Sequence, residues 1–162
     1  MTEQLVLRFR DIERPLGDTI RLHQDLITSA GATWWGWLYR TYEVIPTEYL
    51  SRIGLPSTIF LFDTGQALIY RCDCEEIVID SAPERSPDVA LTPSYYNSRP
   101  APAWFRITQI TEVDSSDLLG TTCVMLPSAG PDCAVDLVGA KVTRLGDLRR
   151  QEVTMWVLER EG

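Results

Sequence analysis

The sequence has little lysine and little histidine: Lys141 and His23 are the single instances among 162 residues. Lysine and arginine together number 15 against 23 aspartates and glutamates, so the formal net charge is −8. A protein that holds long nucleic acids needs a basic face to neutralise their phosphates. The sequence therefore argues against broad binding of duplexes, whereas a small pocket with two or three local arginines remains compatible with it.

The sequence also lacks a long hydrophobic run. No apolar stretch approaches the roughly 20 residues that span a bilayer. The opening Met-Thr-Glu-Gln shows neither the basic region nor the apolar core of a signal peptide. We therefore expect a cytoplasmic protein without membrane contacts, and the length fits a single domain over residues 1–162.

Residue combinations for catalysis or metal binding are scarce as well. No Gly-x-Ser-x-Gly, Gly-x-x-x-x-Gly-Lys or Gly-x-Gly-x-x-Gly motif occurs. His23 lies beside the apolar stripe of a predicted helix, where a packed, hydrogen-bonded role is commoner than a catalytic one. Cys72 and Cys74 are closer together than the paired cysteines of zinc sites. We predict no catalytic residue, no metal and no cofactor.

The aromatic content is concentrated in one segment, Thr33-Trp34-Trp35-Gly36-Trp37-Leu38-Tyr39. In a β-strand the side chains alternate between faces, so Trp35 and Trp37 share one face and Trp34 and Gly36 the other. Gly36 then leaves a notch where a flat group or another backbone can approach closely. Two interpretations stay open: the rings fill the core of a small barrel, or they wall a pocket for a flat ligand such as a nucleobase or a methylated cation.

Hydrophobic periodicity predicts a mixed fold. In the N-terminal third, the pattern predicts a strand at 5–10, a loop at 11–17 and a helix from 18 or 19 to 30. The tryptophan strand at 33–39 and a second, short helix at 46–53 come next. A strand at 58–62, a hairpin turn at 63–66 and a long strand at 67–80 follow. Beyond a loop at 81–102, we predict strands at 104–113, near 123–126 and at 152–158. Five to seven strands with two helices in the N-terminal third indicate an α+β fold with a closed or nearly closed, mostly antiparallel β-barrel.

The end of the first strand, Arg8-Phe9-Arg10-Asp11, carries charge of both signs. Arg8 and Arg10 point to the same side, and Asp11 can orient an arginine through a bidentate pair. On the surface such a pair contributes little. Next to an aromatic pocket, the same arginines would bind an anion.

The order of these elements resembles the PUA-like superfamily, which includes the EVE, ASCH and YTH domains. The likeness covers roughly residues 5–113 and is one of pattern. It begins with a helix before the Trp-rich strand at 33–37 and a short helix that ends near Gly54. A β-hairpin at 58–62 and 67–70 follows. A Pro-Ser-Tyr-Tyr segment at 93–96 then precedes a Trp-Phe-Arg-Ile strand at 104–107.

The resemblance implies a barrel that reads RNA or modified DNA bases, sometimes with an aromatic cage around a flipped or single-stranded base. Taking a base out of its stack costs a few kcal/mol of free energy. Stacking that base on an aromatic side chain recovers about 1–3 kcal/mol. The residues implied are tryptophan walls, a tyrosine lid and arginines for a phosphate: Trp34, Trp35, Trp37, Tyr95, Tyr96, Arg8, Arg10 and Arg40.

The favoured function is non-catalytic recognition of a modified base, a nucleotide or a nucleic-acid end. Modules similar to this one also occur in prokaryotic anti-phage defence systems as sensors attached to effectors, which implies an effector protein as a partner. The alternative is an adaptor that docks a protein partner through exposed aromatics and an acidic surface. A nucleic-acid enzyme is a third alternative.

Overall fold

The structure is a computed structural model that describes residues 2–11, 18–133 and 136–160. Its described part contains three α-helices: α1, α2 and α3, at Asp18–Ala30, Thr47–Ser51 and Leu145–Arg149. Seven strands, β1 to β7, lie at Thr2–Phe9, Thr33–Gly36, Ser57–Asp63, Leu68–Glu84, Ala101–Val113, Thr122–Met125 and Met155–Arg160. Short 3-10 helices lie at Val89–Leu91, Ser94–Tyr96 and Ser115–Asp117. None of the described helices is long and apolar enough to cross a membrane.

The strands form one seven-stranded sheet in the order β2-β5-β4-β3-β1-β7-β6. Every neighbouring pair is antiparallel except β1 and β3, which run parallel. The predicted α+β, mostly antiparallel arrangement is therefore confirmed. The predicted barrel is not confirmed, because β2 and β6 lie at opposite edges of the described sheet and do not pair with each other.

Most predicted elements lie where the periodicity placed them. The hairpin turn at 63–66 is confirmed, because the Asp63 carboxylate accepts from the backbone nitrogens of Gly65 and Gln66 at 2.9 and 3.4 Å. The tryptophan strand is shorter than predicted and ends at Gly36. The helix α3 was not predicted. Of the predicted loop at 11–17, all but Asp11 lies outside the described residues.

Alternation along the strands divides the core into two clusters on opposite faces of the sheet. In β3, Ile59 and Leu61 contribute to one cluster, while Phe60 and Phe62 contribute to the other. The first cluster also contains Trp35 and lies beneath α1, and the second lies beneath residues 118–133 and 136–153. The two clusters fix the sheet from both sides.

The helix α1 begins where the sequence predicts, but its start is held by Asp11. The Asp11 carboxylate accepts from the Thr19 hydroxyl at 2.5 Å and from the Thr19 backbone nitrogen at 3.3 Å. Such a bond satisfies a donor that the first turn of a helix leaves unpaired. Asp11, expected to orient an arginine, thus ties the end of β1 to α1.

Candidate functional site

A cavity of about 350 Å³ opens where the end of β1, the start of α1, the end of β2 and the Ser94–Tyr96 turn meet. We call it the arginine cavity, because four arginines line it among the described residues: Arg8, Arg10, Arg40 and Arg99. Five aromatic side chains complete its walls: Phe9, Trp35, Trp37, Tyr95 and Tyr96. It lies within the size range of small-molecule sites.

Seven of the eight residues that the sequence singled out line the arginine cavity: Arg8, Arg10, Arg40, Trp35, Trp37, Tyr95 and Tyr96. Trp34 does not. It points to the other face of β2 and packs with Tyr96, Ala101 and Trp104. The strand alternation is thus correct, while a ligand-binding role for the seven remains a prediction.

The indole rings are walls rather than open stacking surfaces. Trp35 and Trp37 are only 3% and 1% exposed. The Trp37 ring nitrogen donates to the Thr154 hydroxyl at 2.8 Å, which fixes the ring in place. A ligand would therefore find little indole surface, and the half-buried rings of Phe9 and Tyr95 offer more. An aromatic cage is not shown by this geometry.

The notch predicted beside Gly36 is already filled. A Cβ atom at Gly36 would lie 2.7 Å from the Trp104 ring and 3.0 Å from the Tyr96 ring. The Tyr96 hydroxyl also donates to the Gly36 carbonyl at 3.3 Å. The glycine thus admits two of the protein's own aromatic rings, of which Tyr96 lines the cavity.

Arg8 is held by the hairpin turn that follows β3. Its Nε donates to the Thr64 hydroxyl at 3.2 Å, and the Thr64 backbone nitrogen donates to the Phe9 carbonyl at 3.0 Å. Burial lowers the pKa of Arg8, and the positive charges of Arg40 and Arg10 lower it further. An arginine whose neighbours repel its charge is a favourable partner for an anion.

Glu43 fixes the segment that carries Arg40. The Glu43 carboxylate is buried and accepts from the Arg40 backbone nitrogen at 2.9 Å. It also accepts from the Thr154 backbone nitrogen at 3.0 Å and hydroxyl at 2.8 Å, and from the Ser128 hydroxyl at 2.5 Å. A buried carboxylate with this many donors anchors the loop after β2 to the start of β7.

His23 and Tyr95 form a buried chain of hydrogen bonds behind the cavity. The His23 ring nitrogens lie 2.9 Å from the Thr33 hydroxyl and 2.9 Å from the Tyr95 hydroxyl. Because Thr33 donates its own proton to the Leu91 carbonyl at 3.2 Å, we assign the His23 proton to Nδ1 and the Tyr95 proton to the bond with Nε2. Burial lowers the pKa of His23 to about 3, so the ring is neutral at pH 7. The packed, hydrogen-bonded role predicted for His23 is confirmed.

The closely spaced cysteines of β4, Cys72 and Cys74, are buried free thiols. Cys72 and Cys74 lie in the core, and burial raises the pKa of the Cys74 thiol to about 12. Buried thiols of raised pKa are poor nucleophiles. In the described ranges, no three histidine, cysteine, aspartate or glutamate side chains come together as a metal site.

Sequence reasoning missed several residues of the site. Arg99 lies in a proline- and serine-rich segment without periodicity, and no local pattern distinguishes it. Glu43 and Thr154 meet across 111 positions of the chain. The one available signal for Glu43 is its position shortly after the tryptophan strand, which does not predict its burial.

Comparison with protein-family models matches residues 5–161 to the model described as Pua-like. The match extends the resemblance from residues 5–113 to nearly the whole chain. Searches among curated proteins and among solved structures returned no match. On the strength of the family model, this chain belongs to the PUA-like family.

Proposed function

We propose that this protein recognises a nucleotide or a nucleic-acid end without catalysing a reaction, and that the arginine cavity is its binding site. Membership of the PUA-like family suggests recognition of RNA or nucleotides. The observation that carries the proposal is the lining of the cavity, which combines four guanidinium groups with five aromatic rings. Guanidinium groups match phosphate oxygens, and aromatic rings match a base.

Several observations support binding without turnover. The single histidine is neutral and fully buried, and both of its ring nitrogens already have hydrogen-bond partners. A general base must instead reach the proton that it removes from the substrate. Trp35 and Trp37 are almost fully buried, and the hydrogen bond to Thr154 fixes Trp37, which suits recognition of a flat group.

The identity of the base is the finer part of the proposal. We propose a modified base, as the resemblance to the PUA-like superfamily implies, with the partly exposed rings of Phe9 and Tyr95 as its contact surface. A binding subunit without turnover would serve as a sensor for a separate effector protein, as in an anti-phage defence system. Docking through exposed aromatics has less support, since none of the five indoles is more than 4% exposed.

Titration calorimetry with nucleoside monophosphates and short single-stranded oligonucleotides, each in unmodified and base-methylated form, tests the proposal. We expect saturable binding that Arg10→Ala and Arg40→Ala each weaken by about tenfold, since one charge-assisted hydrogen bond contributes about 1.5 kcal/mol or more. Both side chains are exposed, so both variants should fold.

Arg71→Ala is the matched control, because Arg71 is also an exposed arginine but lines a different cavity. It should bind as the wild type does. The proposal is wrong if the folded wild-type protein binds none of these probes, or if Arg71→Ala weakens binding as much as Arg10→Ala.

A further inference from the structure

The arginine cavity is a local reversal of charge in an acidic protein. Among the described residues, four arginines and a single acid, Asp11, line it, whereas the whole chain has a net charge of −8. Both Asp11 oxygens already accept hydrogen bonds from Thr19. No ion pair joins Arg8, Arg10 or Arg40 to a carboxylate within the part of the chain that the structure describes.

The rest of the molecule disfavours a long polyanion. Each phosphate of a nucleic-acid strand carries a negative charge, and strands that track across a protein need a basic groove along their whole length. Here the arginines converge on one cavity of about 350 Å³. An extended strand would carry its remaining phosphates past a surface with an excess of acids.

A terminal phosphate differs from an internal one in charge and in the oxygens that it presents. A phosphomonoester carries about −1.5 to −2 charges at pH 7 and three acceptor oxygens. An internal phosphodiester carries one charge and two unesterified oxygens. Several guanidinium groups around one small volume provide more donors than a diester can use, and a monoester can engage them together.

We propose that the arginine cavity selects ligands by a phosphomonoester, so that it reads a mononucleotide or a phosphorylated strand end rather than an internal position of a strand. The inference rests on the proposed function and names its ligand class. Arg8, Arg10 and Arg40 bind the phosphate oxygens, and the rings of Phe9 and Tyr95 contact the attached nucleoside.

The test compares adenosine, adenosine 5′-monophosphate and adenosine 3′,5′-cyclic monophosphate by titration calorimetry, with the guanosine, cytidine and uridine series in parallel. The cyclic compound keeps the base and the ribose but converts the monoester to a diester. We expect the monoester to bind at least about tenfold more tightly than the cyclic diester, and the nucleoside to bind most weakly. Short oligonucleotides with and without a terminal phosphate should show the same preference.

The Arg40→Lys variant separates phosphate geometry from charge alone. Lysine keeps the positive charge but loses the planar fork of donors. The preference for monoester over diester should therefore fall by several fold in Arg40→Lys and stay unchanged in Arg71→Ala.

The inference is overturned if the cyclic and linear monophosphates bind equally, or if a terminal phosphate leaves oligonucleotide affinity unchanged. Binding of nucleotides would then still support the proposed function, with the base rather than the phosphate as its determinant. Inorganic phosphate that binds as tightly as the nucleotides would overturn the nucleotide specificity. Absence of binding to every probe would overturn both proposals.

Discussion

The arginine cavity and a second cavity that arginines also line balance their charges differently. The second cavity, of about 590 Å³, contains Arg71 and Arg160 together with the acids Glu3 and Asp117. Arg160 already donates to backbone carbonyls, including that of Asp117 at 2.7 Å. The arginine cavity is smaller, yet among the described residues four arginines and one carboxylate line it, together with aromatic rings. Unbalanced charge next to apolar surface therefore distinguishes a candidate site better than volume does.

The two cavities also differ in how their linings are held. The arginine cavity depends on contacts from distant parts of the chain, including the bonds of Glu43 to Thr154 and of Arg8 to Thr64. In the second cavity, Glu3 and Arg71 are exposed strand side chains. Substitutions should therefore disturb the first cavity more than the second.

The largest expected effect is that of Glu43→Ala. The variant removes a buried acceptor and leaves several donors unpaired, so we expect a loss of about 3 kcal/mol or more in the free energy of unfolding. Urea denaturation measures this loss. Glu3→Ala, the matched change in the second cavity, should stay within about 0.5 kcal/mol of the wild type. Equal losses of stability in the two variants would contradict the proposed difference in how firmly the two cavity linings are held.

The next effect is a dependence of stability on pH through His23. Its folded pKa is lowered from 6.5 to about 3, so between these values the unfolded chain binds a proton that the folded protein does not. This contribution to stability is constant above about pH 6.5 and falls as the pH drops toward 3. From pH 7 to pH 5 we expect a loss of about 2 kcal/mol that His23→Gln lacks. Identical pH slopes for the two proteins in urea denaturation would contradict the assignment.

A smaller effect is expected from Tyr95→Phe, which keeps the ring but removes the donor to the buried His23 nitrogen. We expect a loss of about 1 kcal/mol in the free energy of unfolding. Tyr49→Phe, outside both cavities, is the control and should change stability by less than about 0.5 kcal/mol. A Tyr95→Phe protein as stable as the control variant would show that the hydrogen-bond chain does not hold the cavity wall.

The smallest effect has the opposite sign. Arg10→Ala removes one of the charges that repel Arg8, so the ligand-free protein should become more stable by about 0.3 kcal/mol. Arg71→Ala should show no such gain. High salt screens the repulsion and should reduce the difference. A destabilised Arg10→Ala, measured by replicate thermal unfolding, would argue against repulsion within the arginine cavity.

Local sequence patterns predict the secondary structure of this chain well. The alternation in 33–37 correctly separates Trp34 from Trp35 and Trp37, and the turn after β3 follows from its Asp-Thr-Gly-Gln sequence. These features depend on neighbours in the chain, which a single sequence shows directly. Arg8, Arg10 and the tyrosines at 95–96 line one cavity, and their role in ligand binding stays a prediction.

Contacts between distant residues were beyond such reasoning. The side chain that fills the space at Gly36 is Trp104, on the neighbouring strand β5, and nothing near Gly36 in the sequence identifies it. The parallel pairing of β1 with β3 places β1 inside the sheet, whereas alternation alone shows only that it is a strand. The barrel was inferred from strand number, which does not determine whether the edges meet.

The inner position of β1 has a consequence for how the chain folds. The strand pairs with β3 on one side and with β7 on the other, and Leu7 lies opposite Met155. Pairing across so large a separation in sequence slows folding, because the intervening chain must be ordered first. During synthesis on the ribosome, one edge of β1 stays uncovered until β7 emerges. Truncations that remove β7 should therefore yield insoluble protein, even though every described lining residue of the cavity, up to Thr154, is retained.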